Sequence, residues 1–120
     1  KKEQDGVIPD GVQMVAGHQF SPKTITVTAG EALNFTNASA ESHTVTAYED
    51  SLPKGAEYFA SGLALSEKEA RNTLEGSLIG AGATFTVTLD KPGTYQYFCV
   101  PHESDGMKGT IVVLPKSSSP

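Results

Sequence analysis

Short segments in which polar and apolar residues alternate recur along most of the chain, most clearly in the sequence TITVT at 24–28. Alternation with a period of two is typical of a strand with one buried face, and Thr, Val and Ile favour strands. An Asp-Lys-Pro-Gly sequence at 90–93 predicts a turn between two such segments. About seven short strands joined by turns predict an all-β fold of the β-sandwich class, with strands expected at 12–16, 24–28, 32–37, 43–47, 84–89, 93–98 and 109–114.

One helix is predicted within the region 48–83. The rest of this region is expected to form a crossover between the two sheets. Ser66 followed by Glu69 forms a capping box, in which each side chain accepts a hydrogen bond from a free backbone N–H. Ala70 and Leu74 then provide an apolar stripe. These features predict a single short peripheral helix around 66–76.

The length of 120 residues fits one domain. We expect a flexible N-terminal segment at 1–11, a single domain at 12–115 and a C-terminal tail at 116–120. The longest strongly apolar run is the short stretch 111–114, whereas a membrane-spanning helix needs about 20 such residues. The sequence therefore predicts no membrane span.

Composition excludes several classes of function. The net charge of −5 does not favour nucleic-acid binding. With Cys99 as the one cysteine, an internal disulfide and a multi-cysteine zinc or iron–sulfur site are both excluded. No nucleophile elbow or glycine-rich phosphate loop is present, so no catalytic residue is predicted. A group of acidic residues forms a solvated face that could steer a basic partner: Glu49, Asp50, Glu57, Glu67 and Glu69.

The segment between the last two predicted strands carries the candidate chemistry. It places Cys99, His102 and Met107 within one short loop, and His43 lies at the start of an upstream strand. Taken singly, each residue has an ordinary structural explanation. Together, thiol, thioether and imidazole donors select copper over calcium or magnesium, and Met is a poor zinc ligand. His18 has no such context and is not expected to be a ligand.

The arrangement Cys-x2-His-x4-Met with an upstream His resembles the cupredoxins, the type 1 blue copper proteins. Within them the chain is most similar to the plastocyanins, with pseudoazurins and halocyanins as near relatives. Segments 20–37, 92–99 and 106–113 also resemble the opening strands, the strand leading to the Cys ligand and the closing strand of that family. The resemblance implies a Greek-key β-sandwich.

The resemblance also implies a site and a function. His43, Cys99 and His102 would form a trigonal ligand set and Met107 the long axial contact, with the Ser42 carbonyl as a weak opposite oxygen. The site would hold one copper ion, Cu(I)/Cu(II), and shuttle single electrons. Because all four ligand positions are filled by the protein, the resemblance implies a carrier and not an enzyme.

Two positions depart from the family pattern. Thr44 stands where the family commonly has an Asn that braces the Cys loop, and Phe98 stands where plastocyanins usually have Tyr. These departures put the bracing of the loop and a second docking face in question.

A redox donor and an acceptor are expected to dock transiently near His102, and the protein is expected to be a monomer. The rim around that histidine would comprise Val100, Pro101 and either Leu33 or Leu63. The resemblance implies an extracytoplasmic location, in the periplasm, the thylakoid lumen or at an archaeal cell surface, with a membrane anchor before processing as one alternative.

Three other functions remain open at the level of the sequence. The first is a copper-handling or copper-sensing protein that does not shuttle electrons. The second is a domain of a multicopper enzyme, against which Phe98 and Val100 count, because a His usually flanks the Cys there. The third is a metal-free adhesion-type sandwich.

Overall fold

The computed structural model describes residues 11–62 and 64–116, and within them the chain forms eight strands in two sheets. The strands are β1 (Val12–Val15), β2 (Gln19–Ser21), β3 (Thr24–Thr28), β4 (Ala32–Asn37), β5 (Thr46–Ala47), β6 (Thr84–Thr88), β7 (Gly93–Phe98) and β8 (Lys108–Leu114). One sheet has the order β2-β1-β4-β6 and the other β3-β8-β7-β5. This arrangement confirms the predicted β-sandwich.

The central antiparallel pair of the second sheet, β7 and β8, positions the metal-binding loop. Their register runs from Gly93 opposite Val113 to Phe98 opposite Lys108. Strand β3 lies parallel to β8 on its other side. Since each of these two strands is hydrogen-bonded to a neighbouring strand on both sides, the loop that joins them begins and ends at fixed points.

Aromatic packing fixes the core beneath that loop. The buried ring of Tyr97 lies edge-on to Phe20, with ring centroids 4.6 Å apart, and to Phe35 at 5.2 Å. A Cβ at Gly109 would overlap the Tyr97 hydroxyl, so glycine is required where β8 passes over this ring. The close approach brings β8 against the core directly after Met107.

The region between β5 and β6 contains two short helices, α1 (Glu67–Asn72) and α2 (Leu74–Ser77), and a 3₁₀ turn at Glu49–Ser51. Half of the capping box is present, because Ser66 Oγ accepts from the Glu69 N–H at 3.1 Å. The Glu69 carboxylate accepts instead from the N–H of Leu65, one residue before the cap, at 2.8 Å. The predicted helix thus exists, but it is divided at Thr73, whose N–H and hydroxyl both donate to the Glu69 carbonyl.

The acidic face predicted from the sequence is partly structural. The Glu49 carboxylate accepts from the Glu67 N–H at 3.0 Å, and the Glu67 carboxylate accepts from the Glu49 N–H at 2.9 Å. This reciprocal pair ties the start of α1 to the 3₁₀ turn after β5.

Two strand predictions need correction. Strand β2 was not predicted, and of the strand predicted at 43–47 only Thr46–Ala47 is regular. His43 instead forms an isolated bridge with Ile79 of the crossover region, which supplies the backbone partners that a sheet strand would otherwise supply.

Three predictions concern residues outside the described ones. These are the flexible N-terminal segment at 1–11 except for its last residue, the C-terminal tail at 116–120 except for its first residue, and the position of Leu63 at the rim of the site. Within the described residues, no helix has the length and apolar character needed to cross a membrane.

Candidate metal centre

Three of the four predicted ligands converge at one end of the sandwich. Cys99 directly follows β7, His102 lies in a 3₁₀ segment at Val100–Asp105, and His43 lies between β4 and β5. The Cys99 Sγ atom is 3.6 Å from Nδ1 of His43 and 3.5 Å from Nδ1 of His102. Both imidazoles therefore present the same nitrogen to the thiol.

These separations fit one shared metal ion. Two donors held at metal–sulfur and metal–nitrogen lengths of about 2.3 and 2.0 Å, as in tetrahedral zinc sites, lie roughly 3.5 Å apart. The donor atoms of His43, Cys99 and His102 all lie within 4.8 Å of one another. His43 and Cys99 are fully buried, so the thiol and the first imidazole are already removed from water. A soft sulfur donor with two imidazoles suits copper.

Backbone hydrogen bonds close the loop around Met107, the fourth predicted ligand. The Cys99 N–H donates to the Met107 carbonyl at 3.0 Å, and the Met107 N–H donates to the His102 carbonyl at 3.2 Å. Gly106 adopts a φ of 85°, a left-handed conformation that glycine tolerates and that turns the chain into β8. The Met107 side chain lies fully buried in the same core cluster as Cys99.

A buried polar network orients His43, and the sequence did not reveal it. The His43 Nε2 atom lies 2.9 Å from Ser39 Oγ, which itself donates to Asn37 Oδ1 at 2.7 Å. The serine oxygen thus accepts the Nε2 proton, which leaves the Nδ1 lone pair directed at Cys99. The Asn37 amide in turn donates to the carbonyls of Glu41 and Ile79.

Thr44 braces the Cys loop in the place where the resemblance led us to look for an Asn. Its Oγ1 accepts from the Val100 N–H at 2.8 Å, and its backbone N–H points at Cys99 Sγ at 3.4 Å. Thr44 is fully buried and its hydroxyl also lies 3.0 Å from that of Thr46. The bracing is therefore present, although a hydroxyl supplies it.

Burial favours the neutral forms of His43 and Cys99 before a metal ion binds. Burial lowers the pKa of His43, and the neighbouring His102 lowers it further. Burial raises the pKa of the Cys99 thiol, and the backbone N–H of Thr44 partly offsets that rise. A neutral imidazole is ready to bind a metal ion, whereas the thiol must release its proton when it does so.

Phe98, the residue before Cys99, is covered. The Tyr48 ring stacks on it with centroids 4.3 Å apart, and the Arg71 guanidinium lies 4.4 Å from its centroid. Arg71 is held by Glu103 at 2.8 Å and by Glu67 at 2.9 Å, and the Tyr48 hydroxyl donates to Glu103. Helix α1 thus closes the face on which plastocyanins usually expose a Tyr.

His18 lies directly on His102, a contact that the sequence did not predict. The two rings stack with centroids 3.7 Å apart and an angle of 19° between their planes. The ring nitrogens of His18 lie 2.9 Å from a carboxylate oxygen of Asp105 and 2.9 Å from one of Glu41. The preceding Gly17 was the only local signal, since a glycine permits the tight turn that presents the ring.

The rim of the site is therefore more polar than expected. Leu33, one of the two leucines expected at the rim, is only 2% exposed and lies inside the sandwich, so it does not line the rim. Pro101 is exposed beside His102, as predicted. Acidic groups at Glu41 and Asp105 occupy the side of the rim that faces His18.

The brace can be tested with Thr44→Val, which keeps the shape of the side chain and removes its oxygen. The Val100 N–H then loses its acceptor, and we expect the free energy of unfolding of the copper-free protein to fall by about 1–3 kcal/mol in urea denaturation. Thr44→Ser keeps the hydroxyl and is the matched control. An equal loss in both variants would contradict the role of the hydrogen bond.

Comparison with known proteins agrees with the fold and the site. Residues 10–114 match the model of the copper binding proteins of the plastocyanin/azurin family. Plastocyanin B'/B'' of Nicotiana tabacum is 37% identical over 97 residues, which is 81% of this chain and 89% of that protein. The oxidised plastocyanin of the fern Dryopteris crassirhizoma superposes with a TM-score of 0.64 at 33% identity, covering 87% of this chain and 99% of that one.

One similar structure is an enzyme. The copper-containing nitrite reductase of Thermus scotoductus superposes with a TM-score of 0.66 at 25% identity, but the match covers 92% of this chain and only 23% of that one. The plastocyanins match over most of their own length instead. Fold, donor set and relatives together identify a type 1 copper protein that carries single electrons with one copper ion. The chain belongs to the plastocyanin/azurin family of copper-binding proteins.

Proposed function

We propose that His43, Cys99, His102 and Met107 hold the copper ion of this electron carrier. The observation that carries the proposal is the position of Cys99 Sγ, which has an imidazole Nδ1 at 3.6 Å on one side and at 3.5 Å on the other. When bound, the ion supplies the one-electron couple Cu(I)/Cu(II). The chain supplies a ligand set in which the thiolate and thioether sulfurs come from one loop.

Rapid electron exchange requires that the ligands move little between the two charge states. The chain meets this requirement with hydrogen bonds that exist independently of the ion. Ser39 holds the ring of His43, Thr44 holds the backbone after Cys99, and the Cys99 N–H holds Met107 through its carbonyl. His43, Cys99 and Met107 are therefore held by contacts of the sandwich that do not depend on the metal.

The function we propose is that of a carrier without catalytic chemistry. With four protein donors around one ion, no position stays open for a substrate, and catalytic metal sites need such a position. Cys99 is flanked by Phe98 and Val100, so no adjacent histidine could connect it to a second copper centre of the kind found in multicopper enzymes.

Electrons would enter and leave at the edge of His102. The His102 side chain is 16% exposed, whereas His43, Cys99 and Met107 are fully buried. Phe98 on the opposite route is covered by Tyr48 and Arg71. We infer that a redox protein docks transiently at this edge, and the acidic groups of Glu41 and Asp105 favour a partner with a basic surface.

We also propose that the protein works as a monomer outside the cytoplasm, in the periplasm, the thylakoid lumen or at an archaeal cell surface. Membership of the family and its plastocyanin relatives support a location outside the cytoplasm.

Cys99→Ser tests the ligand set directly. Replacing sulfur by oxygen removes the thiolate-to-copper charge transfer, so we expect the intense visible absorption of the copper-loaded protein to be lost completely. The absorption spectrum, recorded before and after addition of a reductant, measures this. A variant that stays blue would refute the assignment of Cys99.

Met107→Leu tests the axial contact, and Met14→Leu is its matched control. Both methionines are fully buried, but Met14 lies in β1, which belongs to the other sheet from the one that carries the loop. Loss of the thioether withdraws a donor from the oxidised ion, so we expect Met107→Leu to keep the blue colour and raise the reduction potential. Voltammetry should show no comparable change for Met14→Leu. Equal potentials in all three proteins would exclude an axial Met107.

The docking edge can be tested by adding a charge with Pro101→Glu and measuring electron self-exchange by NMR line broadening. Two like charges about 5 Å apart in water repel by roughly 0.8 kcal/mol, which corresponds to about fourfold slower exchange at low salt. Pro101→Ala controls for loss of the ring. Leu114→Glu adds the same charge at the far end of β8, about 20 Å away. If Leu114→Glu slows exchange as much as Pro101→Glu, electrons do not pass at His102.

A further inference from the structure

His102 is the ligand of the proposed copper site that reaches the surface, with 16% of its side chain exposed. Its backbone N–H donates to the Cys99 carbonyl at 3.1 Å, and its carbonyl accepts from the Met107 N–H at 3.2 Å. Both partners belong to the same loop, so these bonds shape the loop without tying His102 directly to the rest of the sandwich. The backbone at His102 also interrupts the 3₁₀ geometry, with a φ of −123° and a ψ of 19°. Neither a strand nor a regular helix therefore fixes this ligand.

The next residue, Glu103, connects the metal-binding loop to helix α1. Its two carboxylate oxygens both accept from Arg71, Oε1 from Nη1 at 2.8 Å and Oε2 from Nη2 at 3.2 Å. Paired bonds between a guanidinium and a carboxylate fix the orientation of the two groups as well as their distance. The Tyr48 hydroxyl donates to the same carboxylate. The side chain that follows His102 is thus held by two residues from outside the loop.

Arg71 is itself held by two neighbouring elements. Its Nε donates to the Glu67 carboxylate at 2.9 Å within α1. Its guanidinium lies 4.4 Å from the ring centroid of Phe98, the buried last residue of β7. A guanidinium on an aromatic face gains from its charge and from stacking. Arg71 therefore links Glu103 to the helix and to the strand that leads to Cys99.

The partial exposure of this ion pair does not make it negligible. The Arg71 and Glu103 side chains are 37% and 28% exposed, and isolated ion pairs at a protein surface usually contribute little. Bidentate geometry and several linked groups are the conditions under which such pairs do contribute. Both conditions are met here, since Glu67 and Tyr48 belong to the same network.

His102 lies between two points at which the metal-binding loop is tied to the rest of the protein. Before it, the Val100 N–H donates to Thr44 Oγ1 at 2.8 Å. After it, the Glu103 carboxylate is held by Arg71. A buried threonine fixes the first point and the ion pair fixes the second. Loss of the ion pair would therefore release the segment that carries His102 at one of its two ends.

We propose that Arg71 is a positioning residue of the copper site, which acts through Glu103 to hold the exposed ligand His102 in one place. A ligand that keeps its place moves little when the ion gains or loses an electron, and small movement favours fast exchange. The short helix α1 of the crossover region then serves the site by carrying Arg71. The inference rests on the proposed copper site and adds to it a residue that supplies no donor atom.

The test compares the copper-loaded wild type with Arg71→Gln, Glu103→Gln and the double variant. Electron self-exchange is measured by NMR line broadening in about 1 M salt, where a Debye length of about 3 Å leaves the net charge of each variant little influence on the encounter. We expect each single variant to exchange about fivefold more slowly, which corresponds to about 1 kcal/mol of activation free energy. The double variant should be no slower than either single variant, because both substitutions remove the same interaction.

A second measurement separates positioning from stability. Electron paramagnetic resonance of the oxidised protein reports the arrangement of ligands around the ion, which a change in stability alone would not alter. We expect the copper hyperfine splitting of both single variants to differ from that of the wild type. Lys68→Gln is the matched control, because it removes a positive charge from an exposed position in the same helix. It should match the wild type in exchange rate and in spectrum.

The outcomes separate this inference from the proposed function. Unchanged exchange and unchanged spectra in both single variants would overturn it, even if their free energy of unfolding fell. A double variant whose loss is the product of the two single losses would also overturn it, as would a Lys68→Gln variant as slow as Arg71→Gln. If far-UV circular dichroism shows that Arg71→Gln does not fold, the exchange rate and spectrum of Glu103→Gln decide. If the wild type never becomes blue with copper, the proposed copper site is itself wrong and the positioning role fails with it.

Discussion

The hydrogen bond from the Cys99 N–H to the Met107 carbonyl, at 3.0 Å, is the constraint on which the metal centre depends. It extends the pairing of β7 and β8 by one step beyond Phe98 and Lys108, the last residues in register. Every residue between Cys99 and Met107 must therefore fit into one closed loop. The loop has room for a 3₁₀ segment that turns His102 back toward the thiol, and for Gly106, which reverses the chain in a left-handed conformation.

His43 meets this loop from a different part of the chain, and its position depends on polar contacts rather than on strand pairing. It lies in an isolated bridge with Ile79, and the Asn37 amide donates to the carbonyl of that same residue. A buried amide that loses its partners costs free energy, so the network specifies one arrangement. Strand β4 thereby fixes an imidazole opposite a thiol that belongs to the other sheet.

The sequence predicted those parts of the site whose residues lie close together along the chain. Cys99, His102 and Met107 lie in one loop between two strands with clear alternation, so the pairing of those strands brings their backbones close together. His43 was selected for its place at the start of a predicted strand, but the chain is not regular there, and nothing in its neighbours indicates the bridge with Ile79 that holds it. The stack of His18 on His102 was missed because it joins residues far apart in the chain, and β2, which carries the chain away from His18, is too short to show a pattern.

Contacts between residues far apart in the chain were also missed in the helical region, and one of them affects access to the metal centre. The sequence predicted the cap formed by Ser66 and Glu69. It did not predict that the guanidinium of Arg71 covers the ring of Phe98. A long side chain can reach any of several faces, and its choice here depends on Glu103 in the metal-binding loop. Because Arg71 covers that side, the exposed edge of His102 remains the approach to the buried donors among the residues that the structure describes. A partner docked at that edge would also cover Glu41 and the ring of His18, which stacks on His102.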